Sequence, residues 1–314
     1  MRIIVFLIGL LGVGLCQAQK QVPDIKTFDD LVYPFATQKI SLADGIEIAY
    51  ADLGKGEKTI LFIHGLGSYG PAWKHNVAEL QQHYRCLVID LPGYGKSSKG
   101  NYEGGMPFFA KAVKDFGDAL GLEKVVLAGH SMGGQIAIVT ALAYPDWVDE
   151  LILVAPAGFE TFNKGQKEWF REVITYDGVR LTTVDQIKEN MAWNFYNMPK
   201  DAEFMITDRI AMRQASDFSG YCHIIPQSVI GMVDTPVFDD LPQVKAKTLV
   251  VYGENDNLIP NRFLNPGTTE AIARQGAERI PNCRLEMVAK AGHFVHFEQA
   301  NTVNQLMLDF LKEK

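Results

Sequence analysis

The amino-acid sequence predicts an α/β protein with a doubly wound, mostly parallel sheet and a helical insertion, and three observations carry that prediction. First, "TILFIHG", "CLVIDLPG", "KVVLAGHS", "ELILVAPAG" and "KTLVVYGEND" are short continuous apolar runs, each closing on Gly, Pro or polar residues. Continuous rather than alternating apolarity implies strands covered on both faces, as in a parallel sheet between helices. Second, helical patterns such as "FFAKAVKDFGDALG" and "GQIAIVTALAYP" lie between those runs. Third, the rhythm breaks from Gly158 to Asp234, where helix-like stretches replace strand-like ones, and resumes at Thr248.

The elements follow in order along the chain. "MRIIVFLIGLLGVGLCQAQK" has one Arg, an apolar run from Ile3 to Leu15 and small or polar residues after it, which is the layout of a signal peptide over residues 1–18. Cleavage after Ala18 leaves a mature chain from Gln19, exported to the periplasm or secreted, and the apolar run is short for a membrane span. A lipid-modified Cys16 is the rival reading, against which Leu15 is bulkier than such sites favour. "QKISLADGIEIAYADLG" alternates about Asp44 and Gly45 and predicts a β-hairpin. The first part of the core then spans residues 19–157, the helical insertion 158–234 and the second part of the core 235–314. Within the insertion, "GQKEWFREVI", "TVDQIKENMAWNFY" and "PKDAEFMITDRIAMRQA" read as helices, with Thr183 and Gln186 forming a capping box. Its aromatic and methionine residues, Trp169, Phe170, Met191, Trp193, Phe195, Tyr196, Phe204 and Met205, read more as packing against the main domain than as an acyl or aromatic pocket.

Composition narrows the function. With 314 residues at 47% hydrophobic content, the chain can bury a full core. A formal charge of -7 argues against a nucleic-acid partner, since phosphate neutralisation needs clustered Lys and Arg. Cys86, Cys222 and Cys283 are widely and irregularly spaced and read as buried small hydrophobes, with one disulfide between two of them left open. "GYGKSS" resembles the end of a phosphate loop, but the position five residues before Gly95 is Asp90 rather than Gly, so no nucleotide site is expected.

Four polar residues, His64, Asp90, Ser131 and Asp256, fall at the carboxyl ends of predicted strands, where doubly wound folds carry their chemistry. The most informative is Ser131 in "GHSMGG", between a buried-strand run and a helix rich in small residues. A serine on a sharp strand-to-helix turn stands above the sheet, and its glycines avoid collision with neighbouring backbone. Taken together, "HGLGS" from His64, "DLPGYGKS" from Asp90, "GHSMGG" around Ser131, and "GENDNLIP" followed by "AGH" ending at His293 resemble the α/β-hydrolase family across nearly the whole mature chain.

Serine is a poor nucleophile without a base to take its proton and an acid to orient that base. The resemblance implies Asp256 as the acid, at Gly-x-x-Asp spacing from Gly253, ahead of its neighbour Glu254. Among seven histidines it implies His293, directly after Gly292, as the base. It also implies backbone N–H groups of Leu66 and Met132 as the oxyanion hole, and makes His130 a packing residue and His64 structural. His75, His83 and His223 have no motif context. His296 and Glu298 are too few for a metal site, so His296 is expected to be a wall of the site or structural, and no metal or cofactor is expected.

The expected activity is hydrolysis of a carboxylic ester of a small to medium, apolar substrate through an acyl-enzyme. A serine nucleophile argues against relatives that form an alkyl-ester intermediate on a carboxylate. Carbon-carbon bond hydrolases of ring-cleavage products are the alternative, although Phe294 stands where they commonly carry Trp and His130 where they frequently carry Asn. Peptidase relatives with a Pro in the oxyanion loop fit "HGLGS" less well. From another class, a non-catalytic ligand-binding protein on the same scaffold would have an unreactive Ser131.

Overall fold

The structure, a computed structural model, describes residues 22–313; the expected signal peptide and Cys16 lie outside the described residues. In chain order the main elements are β1 (Gln38–Ser41), β2 (Glu47–Leu53), β3 (Thr59–Ile63), α1 (Lys74–Leu80), β4 (Arg85–Ile89), α2 (Met106–Ala119), β5 (Val125–His130), α3 (Met132–Ala143) and β6 (Val148–Val154). There follow α4 (Lys164–Val173), α5 (Tyr176–Arg180), α6 (Val184–Ala192), α7 (Glu203–Met212), α8 (Phe218–Asp234), β7 (Lys247–Gly253), α9 (Thr269–Ala277), β8 (Cys283–Val288), α10 (Val295–Glu298) and α11 (Ala300–Lys312).

The eight strands form one sheet in the order β1-β2-β4-β3-β5-β6-β7-β8. The expected hairpin β1–β2 is antiparallel and β2 runs antiparallel to β4, while every other pairing is parallel. Successive residues of a strand point to opposite faces. Leu61, Ile63, Leu127, Leu151, Leu153 and Val250 accordingly join the core under α2 and α3, whereas Ile60, Phe62, Val126, Ile152, Leu249 and Val251 join the core under α1 and α11. Both faces are dry, which is why the strands read as continuous apolar runs.

Helices α4 to α8 lie between β6 and β7, and the Thr183–Gln186 box caps α6 as expected, with the Gln186 N–H 3.2 Å from Thr183 Oγ1. The long helix α8, with Pro226 inside it, was not predicted from sequence. It is the most deeply buried part of the insertion: Tyr94 Oη donates to Ser228 Oγ at 2.7 Å, and Gln135 Nε2 donates to the carbonyls of Met232 and Thr235. The aromatic and methionine residues divide. Phe195 and Met205 are buried, Phe170 and Met191 line cavities, and Trp169, Trp193 and Tyr196 are exposed.

Cys86, Cys222 and Cys283 are free, and burial pushes their thiols up to about 12, about 11 and about 12. Cys86 and Cys222 are the buried small hydrophobes the sequence suggests, whereas Cys283, the first residue of β8, is only partly buried. No helix of the described residues is long and apolar enough to cross a membrane.

One contact tests this packing. A Cβ on Gly117 of α2 would come 2.1 Å from the ring of Trp147, whose Nε1–H is held by the Leu122 carbonyl at 2.8 Å. Alanine gains about 1 kcal/mol over glycine from helix propensity, but forced displacement of a pinned ring costs roughly 1–3 kcal/mol. Gly117→Ala is therefore expected to lower the urea midpoint, and an unchanged or raised midpoint would show that Trp147 yields freely.

Candidate active site

Between β5 and α3 the chain turns at Ser131, with φ 54° and ψ -118°. Its N–H donates to the Val154 carbonyl at 3.0 Å, and its carbonyl accepts from Gly134 and Ala157. The backbone is thus tied to β6 and α3 while the side chain lines a cavity of about 480 Å³. A Cβ on Gly129 would lie 2.2 Å from the Gly133 carbonyl oxygen, and one on Gly133 would lie 2.4 Å from that of Ile63. Only glycine lets the three segments meet. Met132 is the first residue of α3, so its N–H is one of the donors a helix start leaves without an internal partner.

Leu66 reaches the same cavity from the loop after β3. Its orientation follows from His64, whose Nε2 accepts the Leu91 N–H at 3.0 Å, so that Nδ1 carries the proton and donates to the Gly65 carbonyl at 2.8 Å. Drawing that carbonyl toward His64 turns the Leu66 N–H of the same trans peptide to the opposite side. Gly65 abuts the serine, since a Cβ there would be 3.1 Å from Ser131 Cβ. Asp90, the other polar strand end, is structural: its carboxylate accepts from the Gly70 and Lys96 N–H groups and from Tyr33 Oη.

His293 lines the Ser131 cavity, and its Nδ1 lies 2.7 Å from Asp256 Oδ2. Asp256 holds its other oxygen, Oδ1, to the N–H groups of Leu258 and Ile259 at 2.7 and 3.1 Å. With the Asp256 side chain fully buried and acceptor-only as a carboxylate, the imidazole proton sits on Nδ1 and Nε2 is left as a free acceptor. The structure therefore brings Ser131, His293 and Leu66 to one cavity and Asp256 to His293.

His130 does more than pack. It borders the cavity, and its Nε2–H donates to the His293 carbonyl at 3.0 Å. His296 is structural rather than a wall: it is 0% exposed and its ring centroid lies 4.2 Å from that of Trp73. Glu298 turns away from it to accept three backbone N–H groups. Among the described residues no group of three or more His, Cys, Asp or Glu could hold a metal.

Arg209 of α7 went unseen in the sequence. It borders both the Ser131 cavity and an adjoining one of about 350 Å³, and its Nη1 is buried without a hydrogen-bond partner among the described residues. Burial lowers its pKa to about 10, and the guanidinium packs 4.2 Å over the Tyr221 ring. One cation in an amphipathic helix reads as a solvated residue, and only the fold turns it inward. The second cavity is mainly apolar, with Val179, Met191, Met205 and Met212 among its walls.

Burial, then the neighbouring His293 and His75, pushes His296 from 6.5 down to about 3. Below pH 6.5 the unfolded chain binds a proton there that the folded chain does not. The contribution to stability is complete above 6.5 and is lost as pH falls toward about 3, with a limiting slope of about 1.4 kcal/mol per pH unit. His296→Phe should flatten the pH dependence of urea unfolding in this window and keep most turnover at pH 7, whereas His293→Ala should abolish turnover. Equal losses of turnover in two folded variants would overturn this division.

The family profile described as "alpha/beta hydrolase fold" matches residues 58–300. The chain is similar to a 2-hydroxy-6-oxononadienedioate/2-hydroxy-6-oxononatrienedioate hydrolase of Paraburkholderia phymatum, 29% identical over 85% of this chain and 91% of that protein. Among solved structures it is similar to a thermophilic esterase from Thermogutta terrifontis, with TM-score 0.69 and 28% identity over 88% of this chain and 98% of that one. A probable hydrolytic enzyme from Pseudomonas aeruginosa shares the fold with TM-score 0.81 at 22% identity, covering 92% of this chain and 99% of that one. A serine on a strand-to-helix turn, a mostly parallel eight-stranded sheet and a profile match over most of its length place the chain in the α/β-hydrolase family.

Proposed function

We propose that the protein is a serine hydrolase that cleaves carboxylic esters of small to medium substrates through an acyl-enzyme. The observation that carries this reading is the 2.7 Å hydrogen bond between His293 Nδ1 and Asp256, which leaves Nε2 free in the cavity that Ser131 also lines. Ser131 Oγ attacks the carbonyl carbon while His293 Nε2 takes its proton. The N–H groups of Leu66 and Met132 stabilise the oxyanion, a contribution of roughly 3–4 kcal/mol per donor where one has been removed elsewhere. His293 then protonates the departing alkoxide, and water repeats the sequence to release the acid. Asp256 holds the imidazole and stabilises its charged form. In this reading residues 1–18 direct export and the insertion over 158–234 shapes the acyl pocket.

A second reading, hydrolysis of a carbon-carbon bond in a ring-cleavage product, is favoured by one feature. The unpartnered Nη1 of Arg209 suits a substrate carboxylate, and the Paraburkholderia phymatum relative is named for dioate substrates. Phe294 and His130 remain departures from that group.

Ser131→Ala should cut turnover of activated esters by about a thousandfold or more while the fold is retained. Near-normal activity in that variant sinks both catalytic readings, and failure of a fluorophosphonate to label Ser131 would favour a binding protein. Substrates then separate the two chemistries: neutral esters, half-esters of dicarboxylic acids and carboxylated vinylogous diketones. Arg209→Gln should lower kcat/KM for acyl groups that carry a carboxylate by about 10- to 100-fold, as expected for a lost charged hydrogen bond. Neutral esters should stay within about threefold, and an equal fall for both classes would remove Arg209 from carboxylate recognition.

A further inference from the structure

Glu298 takes no part in the chemistry above, yet its carboxylate joins two distant segments. Oε2 accepts the Gly292 N–H at 2.8 Å and the Tyr196 N–H at 3.0 Å, and Oε1 accepts the Asn197 N–H at 2.5 Å. Gly292 immediately precedes His293, whereas Tyr196 and Asn197 belong to the insertion, after α6. On the other side of His293, the Phe294 N–H donates to the Asn194 carbonyl at 3.0 Å, and the Phe294 ring stacks on Phe195 with centroids 5.2 Å apart. The seam leaves no spare room. A Cβ on Gly292 would stand 2.7 Å from the Phe195 carbonyl carbon and from the Tyr196 nitrogen.

We propose that Glu298 is a positioning residue for His293, locking the backbone before the base onto residues 194–197 of the insertion. This rests on the reading of His293 as the base. Asp256 orients the imidazole from one side, but a ring is placed only as well as the backbone that bears it. Here the N–H before His293 is joined to the insertion through the Glu298 carboxylate, the N–H after it bonds to the insertion directly, and its own carbonyl is tied to His130. A carboxylate is suited to the task, because its two oxygens offer enough lone pairs for three converging N–H donors. Without it, three amides in the seam lose their acceptor and the segments separate as water enters. Displacing a reacting group by about 1 Å can cost about a hundredfold in rate. Asn194 gives the seam a further meaning. It lines both cavities while its carbonyl holds Phe294, so the wall that meets substrate is continuous with the backbone that carries the base.

The test uses the full mature enzyme with active sites counted by fluorophosphonate titration. Glu298→Ala removes the acceptor. Glu298→Gln keeps the volume and one acceptor oxygen, and it carries the test should the alanine variant fold poorly. Positioning predicts that kcat per titrated site falls about 10- to 100-fold, with the glutamine variant the milder, while KM stays within about threefold. It also predicts that the low-field proton NMR resonance of the His293 Nδ1–H, set by its bond to Asp256, shifts or broadens. Loss of thermal stability with kcat and that resonance unchanged would make Glu298 a structural strut and overturn the proposal. A change confined to KM or to acyl-length preference would overturn it in favour of a pocket wall. His293→Ala is run alongside: wild-type turnover there would remove the base assignment itself, whatever the Glu298 variants do.

Discussion

At Ser131 the backbone takes a positive φ, 54°, unusual for a residue with a side chain, and the neighbours pack so tightly against that turn that side chains on its glycines would stop them. The carbonyls of Ile63 and His64 lie 2.4 and 2.6 Å from where a Cβ on Gly133 would be, and Pro156 Cβ lies 2.7 Å from that of Gly134. The ends of β3, β5 and β6 are thereby drawn to one point, and the loops they release are the ones that carry Leu66, Ser131 and the start of the insertion. Holding a non-glycine residue in such a conformation costs roughly 1–3 kcal/mol. The backbone bonds from Ser131 to Val154, Gly134 and Ala157 offset that cost while the hydroxyl stays in the cavity.

Legibility in the sequence followed the length scale of the interactions. The parallel strands were readable because burial on both faces is written into consecutive residues, as in Thr59–Ile63. Thr183 and Gln186 were readable because a capping box is closed within four residues. Ser131, Asp256 and His293 stand in local motifs, and the structure brings Ser131 and His293 to one cavity, 162 positions apart in sequence, with Asp256 hydrogen-bonded behind His293. Helix α8 was missed because Pro226 argues against a helix locally, while the burial that stabilises it, against Tyr94 and Gln135, comes from residues far away in sequence. The inward placement of Arg209 and the seam closed by Glu298 were missed for a related reason. A charged side chain announces its type but not its surroundings, and only the folded chain sets Arg209 beside two cavities and Glu298 against the amides of Tyr196, Asn197 and Gly292.

The buried histidines show how much of the site is a matter of proton placement. His64 is fixed as the Nδ1–H tautomer by the Leu91 N–H, His130 as the Nε2–H tautomer by the His293 carbonyl, and His293 as the Nδ1–H tautomer by Asp256. Burial, together with the neighbouring His296 and His293 rings, drives His130 well below its usual range. In the proposed mechanism, a second cation beside His293 would oppose the charge that forms on it during proton transfer. Imidazoles that stay neutral around His293 can hold backbone and fill space without that penalty.

The insertion is anchored unevenly, and that decides which part of it can respond to substrate. Helix α8 is buried against the core, Tyr69 Oη ties the loop after β3 to Asp208 of α7 at 2.6 Å, and residues 194–197 are bound to the loop that carries His293. By contrast α4 and α5 bury no residue, and Trp169, Val173 and Tyr176 face outward. Yet Val173, Gly178 and Val179 also border the second cavity and Phe170 borders the first. Stability scales with buried contact, so local opening should begin in the poorly anchored helices. Motion of α4 and α5 can widen the cavities they border while the loop of Leu66, the turn at Ser131 and the loop of His293 keep their places. In the proposed hydrolase, substrate range can then change through one stretch of the insertion without disturbing the alignment proposed for the other.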